Sequence, residues 1–210
     1  AVGRGGAGGP PEARRAACGP LVADVVADEG GSIMDNVVAG LRVLDTAPRM
    51  RSAARDIPLL TMEAVEEFLE ACAKQEADLY YAIVPQSVLE DRYPGARKTF
   101  VRVLDGSFTA GSVLLFNPAL VDRVRGFVEK ILAARKKPWL MASLFGWSTT
   151  MRLASGRLSI QEMEARAREV TGVVGRAVIV RRPEMALDAD VEHPENLAII
   201  RRELRGMAQT

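Results

Sequence analysis

Arg55-Asp56-Ile57-Pro58-Leu59-Leu60-Thr61 stands between a segment expected to be a strand and one with a helical period. Pro58 removes a backbone donor and fixes φ, so the strand ends here instead of running on as a paired ladder. Thr61 is a good N-cap for the amphipathic run Met62 to Lys74, and Glu63 sits favourably in its first turn. Asp56 is thereby placed at the carboxyl end of a strand, where open α/β sheets bind their ligands. An aspartate in such a turn also caps its own backbone, and these seven residues do not separate the two roles.

Outward from this stretch the chain alternates. Upstream, Leu21 to Ala27 has strand composition, and Ser32 caps a helix from Ile33 to Leu44 with apolar residues at helical spacing. The strand predicted from Arg49 to Leu60 begins with Arg49-Met50-Arg51-Ser52, which is polar for a strand buried on both faces. Downstream, Leu79 to Val84 reads as a strand, and Thr99 to Leu104 alternates up to the turn signal Asp105-Gly106. Phe108 to Phe116 reads as loop and then strand. Asn117-Pro118 starts a helix to about Ala134, closed by the basic group Arg135-Lys136-Lys137. Trp139 to Ser155 has helical character with a break at Gly146. Ser159 and Glu162 form a capping box for a helix to Val170. Arg176 to Arg181 is a β-branched strand, and Pro194 opens a last helix to about Leu204. Strands alternating with helices predict an α/β layered fold. Residues 1–20, rich in Gly, Pro, Ala and Arg, show neither period and are expected to be loop or poorly ordered, leaving 21–210 as one domain.

Composition narrows the function. The chain has 210 residues, 48% apolar and 26% charged, with 28 Lys and Arg against 27 Asp and Glu. A net charge of +1 gives no global field for nucleic acid or an anionic membrane, so neither is an expected partner. No apolar run is long enough to span a bilayer, and cytoplasm is the expected compartment. Cys18 and Cys72 have no neighbouring Cys or His, and Cys72 falls on the apolar side of a predicted helix. His193 is the single histidine, which removes a histidine-rich zinc site and leaves a Ser-His-Asp triad only if His193 serves it.

Three constellations can carry chemistry. Gly30-Gly31-Ser32 precedes a helix and offers backbone N–H groups to an anion or a nucleobase edge, although most such turns hold nothing. Asp56 is the second. The third is the acidic loop Asp188, Asp190 and Glu192, which taken alone reads as a solvated turn before a helix start. Together with Asp56 it supplies what a nucleotide-bound Mg²⁺ needs: hard oxygen ligands from two loops, with water and phosphate filling the remaining positions.

These residues, in order, resemble the MobA-like nucleotidyltransferases of the nucleotide-diphospho-sugar transferase fold. The resemblance rests on Gly30-Gly31-Ser32-Ile33-Met34-Asp35-Asn36 through Leu41, on Asp56-Ile57-Pro58-Leu59-Leu60-Thr61, on Phe108-Thr109-Ala110-Gly111, and on Asp190-Val191-Glu192-His193-Pro194-Glu195-Asn196-Leu197. It implies a three-layer Rossmann-like sandwich with a mainly parallel sheet. It also implies transfer of an NMP from an NTP, GTP or CTP first, to a phosphorylated small-molecule acceptor with release of pyrophosphate. By the resemblance Asp56 binds Mg²⁺ and is the catalytic carboxylate, and Asp190 or Glu192 completes the metal site. Gly30, Gly31, Ser32 and Asn36 face the base, and Thr109 and Gly111 face the acceptor.

The family opens with a strand and a glycine-rich loop carrying a lysine that cradles the triphosphate. Gly3-Arg4-Gly5-Gly6-Ala7-Gly8-Gly9 has no lysine and is followed by Pro10-Pro11, so the first βα unit is expected to be missing. Two other readings follow. One is a catalytically dead relative that binds a nucleotide or a partner. The other is a nucleotide-sugar glycosyltransferase with Asp188-Ala189-Asp190 as its Asp-x-Asp metal motif.

Overall fold

The computed structural model describes residues 57–134, 138–189 and 193–207, the three short strands before them, and the helical residues Asp35, Val38, Ala39 and Leu41. The strands are β1 (Gly6–Gly8), β2 (Val25–Ala27), β3 (Arg51–Ala54), β4 (Leu79–Pro85), β5 (Val101–Val103), β6 (Gly106–Phe116) and β7 (Gly175–Ile179). The helices are α1 (Met62–Cys72), α2 (Gln86–Arg92), α3 (Val121–Ala134), α4 (Pro138–Phe145), α5 (Trp147–Ala154), α6 (Ile160–Thr171) and α7 (Pro194–Met207).

Five strands form one sheet in the order β3-β6-β4-β7, with β5 paired to the start of β6. β6 is antiparallel to β3, β4 and β5, while β4 and β7 are parallel. It follows that β3, β4, β5 and β7 all point one way and β6 alone points back. The sheet expected from the resemblance is mainly parallel; in strand direction four of five agree, yet the reversed β6 lies between β3 and β4, so three of the four pairings are antiparallel. β1 and β2 pair in parallel as a separate two-stranded ladder, so Gly6–Gly8, read from composition as loop, is extended. Among the described residues β3 is paired on one side only, by β6.

Local chemistry fixes most element ends. The Thr61 side chain accepts from the Ala64 N–H at 3.2 Å to start α1. Along α1, Ala64, Phe68 and Cys72 recur every fourth position and are buried. The Asp105-Gly106 turn closes the β5–β6 hairpin, with Gly106 at φ 139, a conformation costly for a residue with a Cβ. Gly146, at φ 92, separates α4 from α5 where the sequence places a break. The Ser159–Glu162 capping box opens α6. Besides β1, the strand expected over Arg49–Leu60 is described only at Arg51–Ala54, with a turn at Ile57–Leu60, and two other elements depart from the expectation. β6 is a strand from Gly106 onward, with no loop at Phe108–Ser112, because the tight hairpin pairs it with β5 at once. Helix α2 begins directly after β4 with Pro85 at its cap and no side-chain cap bond, so it carries none of the usual start signal.

Successive residues of β4 face opposite sides of the sheet. Tyr80, Ala82 and Val84 join Phe68 of α1, Leu89 of α2 and Ile199 and Ile200 of α7 in the main core. Ile83 joins Val103, Phe108, Leu153 of α5 and Met163 of α6, and Leu79 packs against Phe116 and Val121 of α3. Helices therefore cover both faces of a mixed sheet, an α/β sandwich. Each fully buried side chain such as Phe68 or Leu187 contributes about 1.5–3 kcal/mol by leaving water. No described helix is long and apolar enough to cross a membrane.

Candidate functional site

The common direction of β3, β4 and β7 brings their carboxyl ends to one edge of the sheet. Three segments leave from that edge: the turn at Ile57–Leu60, the Pro85–Gln86 start of α2, and the stretch after Ile179. The turn is closed by the Leu60 N–H donating to Ile57 O at 3.1 Å, and Thr61 then caps α1. The chain beyond β7 is drawn toward α1 by Arg182, whose Nε donates to Glu67 at 2.6 Å. Glu63 in the first turn of α1 has its carboxyl held below the usual range, first by a backbone N–H at its own position, then by the Thr61 hydroxyl and Arg182. A cleft of about 580 Å³ opens at the same edge, lined by Pro85, Gln86, Ser107, Phe108, Ile179 and Arg181.

After β7 the chain turns through Pro183–Ala186 and buries Met185, Ala186 and Leu187 completely. This anchors the acidic loop that follows. Asp188 is the acidic residue of that loop within the described set, and it accepts a hydrogen bond from the Lys98 ammonium. Both ends of this ion pair are withdrawn from solvent, with side chains 13% and 29% exposed. Lys98 is itself placed by the next segment. Asn196 in the first turn of α7 is fully buried, accepts from the Arg97 N–H at 2.7 Å and donates to the Arg97 carbonyl at 3.0 Å. The last helix thus grips the backbone of the residue preceding Lys98.

The expected site residues divide in two. Asp56, Asp190 and Glu192, the expected metal ligands, lie outside the described residues, as do Gly30, Gly31, Ser32 and Asn36 of the expected base-binding stretch. Their flanks are described. Ile57, next to Asp56, and Ala189, next to Asp190, pack against the same core cluster, so one core supports both carboxylate segments. Among the described residues no group of three or more His, Cys, Asp or Glu could hold a metal. Thr109 and Gly111 are described, and both lie inside β6. Thr109 is 3% exposed and pairs with Val84, while Gly111 is pressed against Ala82 beside a register shift in the β4–β6 ladder. Sequence reasoning missed Lys98 and the Asn196 clamp. Lys98 gives no local signal, since its partner is 90 residues away.

In its fold this is an α/β protein with a mixed sheet, helices on both faces and its candidate site at the carboxyl edge. No protein-family model matches the chain, and no curated protein does. Among solved structures it is similar to a hypothetical transferase from Thermus thermophilus, with a TM-score of 0.74 and 34% identity over 82% of this chain and 73% of that one. The chain belongs to the same family as that protein.

Proposed function

We propose that this chain is a transferase, and specifically a Mg²⁺-dependent nucleotidyltransferase moving an NMP from an NTP to a phosphorylated acceptor. The observation that carries the reading is the shared edge, where the segment after β3, which carries Asp56, and the acidic loop after β7 rest on one core. The relative described as a hypothetical transferase supports the broader class.

In this reading an oxygen of the acceptor phosphate attacks the α-phosphorus, the bond to the β-phosphate oxygen breaks, and pyrophosphate leaves. No covalent enzyme intermediate is needed, so the chain acts by positioning and by neutralising charge. Mg²⁺, when bound, would offset the negative charge that develops on the phosphates during transfer. A donor set of carboxylates fits that ion. Asp56 would be its first protein ligand and Asp190 or Glu192 the second. Asp188 is assigned no ligand role, because its carboxylate already receives the Lys98 ammonium. The same pair weighs against a glycosyltransferase built on Asp188 and Asp190. Gly30, Gly31, Ser32 and Asn36 take the base. Thr109 and Gly111, expected from the resemblance to face the acceptor, lie within β6 with Thr109 buried, so in this reading they act by packing β6 against β4.

The test is pyrophosphate release from a panel of NTPs with Mg²⁺ and phosphorylated acceptors. Release that disappears in Asp56→Asn supports the reading. Loss in only one of Asp190→Asn and Glu192→Gln identifies the second ligand. A non-catalytic nucleotide-binding relative is the second reading, favoured by the absence of lysine from the glycine-rich stretch Gly3–Gly9. NTP binding with no pyrophosphate release from any acceptor would establish it.

A further inference from the structure

We propose that the cleft at the carboxyl edge of the sheet binds a small organic phosphate carrying free hydroxyl groups, with the Arg181 guanidinium holding the phosphate. The proposal rests on the transferase reading only for the ligand's role as acceptor. For the binding it rests on described side chains alone.

Strand pairing makes the apolar part of the cleft. Phe108 pairs with Pro85 and Ile179 with Ile83, and Ile83 and Pro85 alternate along β4, so the four side chains share one face of the sheet. Phe108 and Ile179 line the cleft, and Ile179 is 50% exposed, a large apolar side chain left uncovered at a strand end. Such a surface takes the C–H side of a ligand, while a few polar groups fix its orientation. Here those groups are of two kinds. Of the two arginines that follow β7, Arg182 is committed to Glu67. The Arg181 guanidinium lines the cleft and has no hydrogen-bond or ion-pair partner among the described residues. Its planar fork of donors matches a phosphate bidentately. The lining also holds two carboxylates, each engaged through one oxygen. Glu90 Oε1 accepts from the Gln86 amide at 2.7 Å, and Asp105 Oδ2 accepts from the Ile160 N–H at 2.8 Å. Their other oxygens have no hydrogen bond among the described residues and can accept from O–H groups of a ligand. A wholly anionic ligand would be repelled by these carboxylates, and a wholly apolar one would leave Arg181 unanswered. One phosphate with hydroxyls on a carbon frame satisfies both, and the cleft's volume of about 580 Å³ suits a molecule of that size.

The experiment is calorimetric titration of the full chain with ribose 5-phosphate, in EDTA and without nucleotide, against inorganic phosphate and ribose. Ribose 5-phosphate should bind more tightly than either. Arg181→Gln should weaken it by about tenfold or more, as loss of a hydrogen bond to a charged group does. Glu90→Leu should weaken ribose 5-phosphate but leave inorganic phosphate unchanged or tighter, a split that loss of folding cannot produce. Both side chains are exposed, and thermal unfolding checks that each variant folds. Wild type that binds ribose 5-phosphate no better than inorganic phosphate overturns the proposal, as does wild-type affinity in Arg181→Gln. Because the titration needs neither metal nor NTP, it separates the two readings. Pyrophosphate release without binding in the cleft sinks the site alone, while Arg181-dependent binding without release from any NTP keeps the site and sinks the transferase reading.

Discussion

Gly111 lies so close to Ala82 that a Cβ at position 111 would stand 2.9 Å from both the Ala82 methyl carbon and the Ala82 carbonyl oxygen. The contact occurs where the β4–β6 register shifts, between the pairs at Tyr81 and Ile83. The need for glycine here comes from the approach of two strands, since its φ is not in the left-handed range.

Gly111→Ala should therefore destabilise the chain by about 1–3 kcal/mol, the usual cost of forcing an extra carbon into a packed interior. Urea denaturation measures it. An unchanged midpoint would mean that β6 shifts without cost.

Asn196→Ala should cost about 1–2 kcal/mol, because it leaves the partly buried Arg97 N–H and carbonyl without their side-chain partner. Limited proteolysis should show earlier cleavage near Arg97 and Lys98, since the clamp is what ties this connection to α7. A variant with wild-type stability and an unchanged cleavage pattern would contradict the clamp.

Glu162 closes the α6 capping box, accepting from the Ser159 N–H at 2.9 Å, and pairs with Arg152 at 2.6 Å. Those two contacts hold its carboxyl below the usual value of 4.5, the backbone bond being the larger cause. A lowered folded pKa means that its stabilisation is present above the unfolded value and lost as pH falls through the folded one. Wild type should thus melt above Glu162→Gln at neutral pH, and the gap should close in acid below 4.5. A gap that persists in strong acid would assign the effect to something other than the carboxylate.

Cys72 is buried on the inner face of α1, and burial pushes its thiol up to about 11. In a Cys18→Ser chain, Cys72 should resist a thiol-specific disulfide reagent at about pH 8 until denaturant is added, because the thiolate is the reacting form. Rapid reaction of the native chain would show that α1 opens readily.

Features set by neighbouring residues were legible in the sequence. Thr61, Ser159 with Glu162, Gly146 and Asp105-Gly106 act within a few residues of themselves, and each ends or starts an element where the letters place it. The direction of β6 was not legible, because an apolar strand carries the same pattern whichever way it is paired. Helix α2 was missed because Pro85 gives it no side-chain cap. In the candidate site the sequence offered an acidic run, Asp188, Asp190 and Glu192. It did not show that Asp188 is already engaged, because Lys98 and Asp188 meet only once β6, β7 and α7 have brought distant segments together. Asn196 was visible as part of a helix start, while its grip on Arg97 depends on a contact 99 residues away.

The reversed β6 also imposes an order of assembly. β3 pairs with no described strand but β6, and β6 follows it by more than fifty residues of chain. β4, β5 and β6 lie close in sequence and can pair early, whereas β3 and β7 must each wait to close a long loop onto them. β3 is thus synthesised before β6 yet can pair only once β6 has followed it. β7 arrives later still, so the carboxyl edge of the sheet is complete only when both β3 and β7 have paired. A chain released from the ribosome before β7 would retain a paired β4–β6 unit and lack the edge on which the site is built.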